Sequence, residues 1–132
     1  MTDTPDDAMI DLATRIYGLA RSGDTAALVE YVRAGVPANL TNDNGDTLIM
    51  LAAYHGHAET VSALLAEGAD PNRANDKGQT PIAGAVFKGE IEVVEALLAG
   101  GADPAAGRPS AVDAANVFGQ PELLELFEDE GD

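Results

Sequence analysis

The residues with the most reactive side chains are few and badly placed for chemistry. Histidine occurs only as His55 and His57, and cysteine does not occur. Two positions apart with Gly56 between them, the histidines do not share a helix face. A third ligand at zinc spacing is missing, so a metal site is not expected. Asn42-Asp43-Asn44-Gly45-Asp46 has the composition of a calcium loop. Setting Gly45 at the sixth position of such a loop puts Leu40, not an acid, at the first, and the pattern fails. Asp46 and Asp113 have no spacing that pairs them as acid and base. No Ser-His-Asp arrangement and no phosphate-cradling glycine motif can be read. Asn39-Leu40-Thr41 fits a glycosylation sequon by its letters alone. The expectation is a non-enzyme without a cofactor.

Charge narrows the partners. Twenty-three acidic residues face seven basic ones, a formal net charge of -16 over 132 residues. Such a chain repels phosphate and anionic lipid, which argues against direct nucleic-acid or membrane binding and against self-association. Met1 to Asp7 has no basic region and no apolar run, so it does not read as a signal peptide. No apolar stretch is long enough for a membrane span. The chain is expected to be a cytoplasmic monomer, and its Ala, Gly, Asp and Glu richness suits a bacterial, high-GC source. Hydrophobic residues make up 45% but aromatics only 5%. A core of Ala, Leu, Val and Ile suits closely packed helices.

The elements that position these side chains recur with a period of 33. Gly45 falls on Gly78, Thr47 on Thr80, Ala52 on Ala85, Gly56 on Gly89, Val61 on Val94 and Leu64-Leu65 on Leu97-Leu98. Gly68-Ala69-Asp70-Pro71 falls on Gly101-Ala102-Asp103-Pro104. The offset runs backwards through Ala20, Gly23, Leu28, Gly35 and Asn39. Forwards, shortened by three, it reaches Ser110, Ala115, Gly119 and Leu124. One domain, 1–132, is expected, built of units 5–41, 42–74, 75–106 and 107–132, the first and last being caps. In each unit a Thr or Ser opens a short helix, glycine ends it, a second helix follows, and a turn-rich hairpin leads onward. Thr80-Pro81 is a cap followed by proline at the first helical position. Thr4-Pro5-Asp6-Asp7 reads as a capping box. Met9, Leu12, Ala13, Ile16 and Leu19 form one apolar stripe on a long first helix. Phe127 to Asp132 is expected to fray.

The pattern resembles the ankyrin repeat. The second unit carries Gly45, Thr47, Ala52-Ala53, Gly56-His57, Leu64-Leu65, Gly68-Ala69-Asp70 and Asn72. The third carries Gly78, Thr80-Pro81, Ala85, Gly89, Leu97-Leu98 and Gly101-Ala102-Asp103. Departures are Met50 and Ala83 for the family histidine, Thr47-Leu48 and Ser110-Ala111 for Thr-Pro, and Gly89-Glu90 for Gly-His. They are expected to cost hydrogen bonds at the loop corners. The resemblance implies an all-α solenoid of stacked helix-turn-helix units joined by β-hairpin-like loops. It also implies a curved stack that binds proteins without catalysis, and a structural role for His57.

The same resemblance places the two residues before each helix-ending glycine on the concave face. These are Arg21 and Ser22, Tyr54 and His55, Phe87 and Lys88, and Val117 and Phe118. Tyr54 and Phe87 become neighbouring rungs of an aromatic stripe, with Phe118 suspected of turning into the core. Asp43, Asn44, Asp46, Asp76, Lys77 and Gln79 sit at the hairpin tips. The partner-binding set is Arg21, Tyr54, His55, Lys77, Gln79, Phe87, Lys88 and Val117. Glu30, Glu59, Glu67, Glu92, Glu95, Glu122, Glu125 and Glu128 make an acidic back. The expected function is a protein-binding adaptor or regulator. The alternatives are an acidic mimic that inhibits a basic nucleic-acid-binding protein, and an enzyme accessory subunit or small-molecule binder. The last needs a gap between units near Ala83 and Gly84.

Overall fold

The computed structural model describes the backbone of residues 5–131 and the side chains of residues 9–128. Eight helices and no strands are present among the described residues: α1 (Pro5–Ser22), α2 (Thr25–Arg33), α3 (Leu48–Tyr54), α4 (Ala58–Ala66), α5 (Pro81–Lys88), α6 (Ile91–Ala99), α7 (Ala111–Val117) and α8 (Pro121–Gly131). They pack in successive pairs, α1 with α2, α3 with α4, α5 with α6 and α7 with α8. Along the stack α3 packs between α1 and α5, and α5 between α3 and α7. A second layer runs through α2, α4 and α6. The all-α solenoid is as expected.

Each short first helix is started by a hydroxyl. The Oγ1 of Thr47 accepts from Met50 N–H at 3.1 Å, and that of Thr80 from Ala83 N–H at 3.3 Å. The Oγ of Ser110 accepts from Asp113 N–H at 3.1 Å, and Asp113 Oδ2 accepts in return from Ser110 N–H at 3.2 Å. This reciprocal capping box gives Asp113 a structural role. The expected loss of corner hydrogen bonds at Thr47-Leu48 and Ser110-Ala111 does not occur for the caps, because the hydroxyl and not the proline makes the bond. Gly89 ends α5 in the left-handed conformation at φ 72°.

Burial is concentrated between neighbouring pairs. All of Leu48 to Ala53 in α3 and Pro81 to Val86 in α5 are buried. Small residues make this possible, since Ala52, Ala85 and Ala115 are fully enclosed. The second layer contributes Leu28, Val61, Leu64, Val94 and Leu97 to one continuous core. The loop corners are also joined. Asn39 Oδ1 accepts from Asp70 N–H at 2.7 Å, and 33 residues on Asn72 Oδ1 accepts from Asp103 N–H at 2.6 Å. Thr25 and Thr60 share a hydroxyl–hydroxyl bond of 2.7 Å.

The ends differ from expectation. The stripe on α1 is split: Ile16 is buried and Ala13 and Leu19 are half-buried, but Met9 is 68% and Leu12 40% exposed. With 18 residues against seven in α3, α1 outruns the neighbour that could cover it. Thr4, the proposed cap of this helix, lies outside the described residues. At the other end α8 stays helical to Gly131, where fraying was expected. Leu123 and Phe127 anchor it in the core; Asp132 and the side chains beyond Glu128 lie outside the described residues.

Two stability predictions follow from the packing. Leu97→Ala, at a fully enclosed position, is expected to lower the unfolding free energy by about 2–5 kcal/mol, read from urea denaturation. Asn72→Ala removes the bond to Asp103 N–H and a 3.3 Å bond from Nδ2 to Gly101 O. It is expected to cost only about 1 kcal/mol because the site is exposed, and the same titration measures it.

Candidate protein-binding surface

The hairpins carry the first part of the surface. In 41–47 an isolated bridge joins Thr41 to Thr47. Asn42 Oδ1 accepts from the N–H groups of Asn44 at 2.9 Å and Asp46 at 3.0 Å, closing the turn. Asn75 repeats the device with Lys77 and Gln79, both at 3.0 Å. The acidic run 42–46 is thus a hairpin tip and not an ion loop. Gly45 sits at φ +78°, and a Cβ there would come within 2.5 Å of the Asp76 carboxylate. That close approach is functional in the packing sense, because successive tips dock. Asp76 N–H donates to Asn44 O at 3.0 Å and Asn75 Nδ2 donates to Asp46 Oδ1 at 2.8 Å. Arg108 N–H then donates to Gly78 O at 2.9 Å.

The second part is carried by the C-terminal ends of α1, α3, α5 and α7. Arg21, Ser22, Tyr54, His55, Phe87, Lys88, Val117 and Phe118 are all exposed. Among the apolar ones Phe87 is 62%, Val117 79% and Phe118 50% exposed. Phe118 therefore does not fold into the core. The stripe is knitted diagonally and not rung to rung. Lys88 Nζ lies 5.0 Å from the centroid of the Tyr54 ring. The Phe87 and Phe118 rings meet edge to face, centroids 5.6 Å apart at 73°. In both contacts a ring reaches the second residue of the next unit's exposed pair. Tyr54 also meets His55 edge to face at 5.9 Å.

The predicted set divides. Tyr54, Lys77 and Gln79 line one open cleft of about 260 Å³, together with Asn44, Asp46, Met50, Leu51, Asn75 and Asp76. Lys88 joins this group over the Tyr54 ring. Arg21 borders a different depression, against Ile10, Tyr17 and the 42–44 tip. Val117 lies with the Phe87–Phe118 pair at the far end of the row. The cleft, the place of Asp46 in it and that of Ile10 in the depression beside Arg21 were not read from sequence. The 33-residue register did carry a signal for the cleft, since it sets Asp46 and Gln79 at equal positions of adjacent tips. The gap that a small-molecule site would need near Ala83 and Gly84 is closed at Gly84: a Cβ there would lie 3.5 Å from both Met50 Cε and Tyr54 Cδ1. Methionine in place of the family histidine fills that space.

His57 behaves as a structural residue. Its Nε2 and Arg21 O are 2.7 Å apart, and a Cβ on Gly23 would fall 2.6 Å from its Nδ1. The ring is packed beneath the end of α1. Asn39, the asparagine of the sequon, uses its side-chain oxygen to hold the next corner. On the second layer Arg33 Nε and Glu67 Oε1 form an ion pair of 3.1 Å between α2 and α4. Glu59, Glu92 and Glu95 are exposed on that layer, and Glu122, Glu125 and Glu128 are exposed on α8. No helix among the described residues is long and apolar enough to cross a membrane.

Comparison with known proteins agrees with this architecture. A family model described as ankyrin repeats, in three copies, matches residues 16–107. A protein of Pseudomonas aeruginosa, named as a candidate ankyrin repeat protein, is 46% identical over 65 residues, 46% of this chain. The matched stretch is 38% of that relative's own length. Repeats of this kind generally mediate protein–protein interaction, and proteins of the family are generally non-catalytic interaction modules. From its period, its paired helices and its docked hairpin tips, the chain belongs to the ankyrin-repeat family.

Proposed function

We propose that this chain is a non-catalytic adaptor or regulator that binds a partner protein through the concave face and hairpin tips. In this reading four units, 5–41, 42–74, 75–106 and 107–132, act as one rigid surface in a cytoplasmic monomer. Arg21, Tyr54, His55, Lys77, Gln79, Phe87, Lys88 and Val117 make the contact.

The observation that carries the proposal is the exposed row Tyr54, Phe87, Val117 and Phe118. Monomeric proteins rarely leave contiguous aromatic and aliphatic side chains in water, and such patches mark interaction sites. Aromatic rings beside cations are the residue types that dominate binding energy at protein interfaces. The fold has already used its core-forming residues, so these rings are not needed to hold the stack. Their mutual contacts limit their motion, which lowers the entropy lost on binding. The glutamate-rich second layer offers no comparable patch and keeps the array soluble.

The test is a pull-down from lysate of the source cell with wild type, Tyr54→Ala/Phe87→Ala, and Glu92→Ala/Glu95→Ala as a control on the other layer. A partner held by wild type and control and lost by the aromatic double variant is the expected result. A partner held equally by the double variant removes the proposal. Because both side chains are exposed, the double variant is expected to keep its stability within about 1 kcal/mol. Circular dichroism melting checks that loss of binding is not loss of fold.

A further inference from the structure

We propose that Asn44 and Gly45 form a self-modifying site: Asn44 deamidates through a cyclic imide with the Gly45 nitrogen when the 41–47 tip leaves its place on the 75–79 tip.

The sequence and the structure single out the same residue. Of the six asparagines only Asn44 precedes glycine. With no side chain on the following residue, nothing hinders the approach of its nitrogen to the asparagine Cγ. The side chains of Asn39, Asn42, Asn72, Asn75 and Asn116 are each held by at least one hydrogen bond. The Asn44 amide group takes part in none among the described residues; its bonds run through its backbone N–H and C=O alone. The residue is exposed.

The step balances with water as the only co-reactant. The Gly45 nitrogen bonds to Asn44 Cγ and the Cγ–Nδ2 bond breaks. Nδ2 leaves as ammonia, taking the proton that the Gly45 nitrogen gave up. Water then opens the imide ring. Opening at Cγ leaves aspartate. Opening at the main-chain carbonyl leaves isoaspartate, with the chain running through the former side chain.

Docking holds this chemistry back. The Asn44–Gly45 peptide group is tied at both ends: Asn44 O accepts from Asp76 N–H at 3.0 Å, and Gly45 N–H donates to Asn42 O at 3.0 Å. The attacking nitrogen therefore keeps its proton on a carbonyl while the tip is in place. The hairpin has one isolated bridge, Thr41 to Thr47, and no ladder, so it opens at lower cost than the packed helices. Ring closure belongs to that opened tip. Isoaspartate does not fit the docked one. It adds a methylene to the chain where a mere Cβ on Gly45 would fall 2.5 Å from the Asp76 carboxylate. It also adds a negative charge to a tip that already carries Asp43 and Asp46. Asn44 lines both depressions of the surface, so the change reaches the partner's site; that consequence alone rests on the concave-face reading.

The experiment incubates the full chain in mildly alkaline buffer, folded and in guanidinium chloride, beside Asn75→Ala. Peptide mapping by mass spectrometry locates each conversion, and electron-transfer fragmentation tells isoaspartate from aspartate. Asn75→Ala removes the bond to Asp46 and the closure of the 75–79 turn. It leaves 42–46 unaltered, so its rate in denaturant is expected to match wild type. Asn44 is expected to convert first of the six, with isoaspartate in excess. Folded wild type is expected to react about tenfold more slowly than unfolded, as a small local opening free energy dictates. Folded Asn75→Ala is expected to lose most of that protection. Another asparagine converting first, aspartate without isoaspartate, equal rates folded and unfolded, or full protection in the variant would each overturn the proposal. Circular dichroism checks that the variant is folded, and the wild-type comparison stands without it. No partner enters the measurement, so its failure leaves the concave-face reading standing, and a failed pull-down leaves the modification site standing.

Discussion

A helix of seven to nine residues has no stability of its own, and a pair of them has no interior. In this chain α3 buries six of its seven residues, and it does so only because α1, α4 and α5 surround it. Every other structural choice depends on that stacking. Ala52, Ala85 and Ala115 recur because the first helices must approach closely, and larger side chains there would force them apart. The buried hydroxyls of Thr47, Thr80 and Ser110 recur because each enclosed helix start needs an acceptor that water cannot supply. At the ends the constraint is relaxed, and the exposed Met9, Ile10 and Leu12 mark where α1 has no further neighbour.

Stacking also decides what is left for binding. The two residues at the end of each first helix are exposed, and their side chains touch only the surface of the neighbouring unit. Their chemistry is free to vary, and here it runs from Arg21 through Tyr54 and Phe87 to Val117. The hairpin tips are less free. Asn42 and Asn75 each spend their carbonyl oxygen on closing a turn, and Asn75 spends its amide on Asp46 and Gln79. A tip built this way presents its acids at fixed positions, which turns a charged loop into a rim.

Charge is divided along the same line. The glutamates of the second layer face solvent, where helix propensity and repulsion of other acidic molecules are sufficient reasons for them. The cations Lys77 and Lys88 lie on the side of the aromatic rings. The cation over Tyr54 shows that the ring is not simply an exposed hydrophobe, since its face is already engaged electrostatically. A partner approaching this surface meets the Tyr54 ring, the side chains of Asp46 and Asp76 and the cations Lys77 and Lys88.

The amino-acid sequence alone determined the period, the order of helices and turns and the hydroxyl caps at Thr47 and Thr80. These are local or periodic properties, and a 33-residue repeat displays them several times over. The resemblance to the ankyrin repeat added the structural place of His57 and the exposed pairs before each helix-ending glycine. Contacts between units were not legible, since they depend on how far one unit is shifted against the next. Only the tertiary structure decided that Tyr54 meets Lys88 and Phe87 meets Phe118 on the diagonal, that Met50 closes the space beside Gly84, and that Asp46 and Asp76 flank one cleft. It also decided how far a stripe is buried: Met9 and Ile16 share one helix and one apolar pattern, and only Ile16 has a neighbouring helix to cover it.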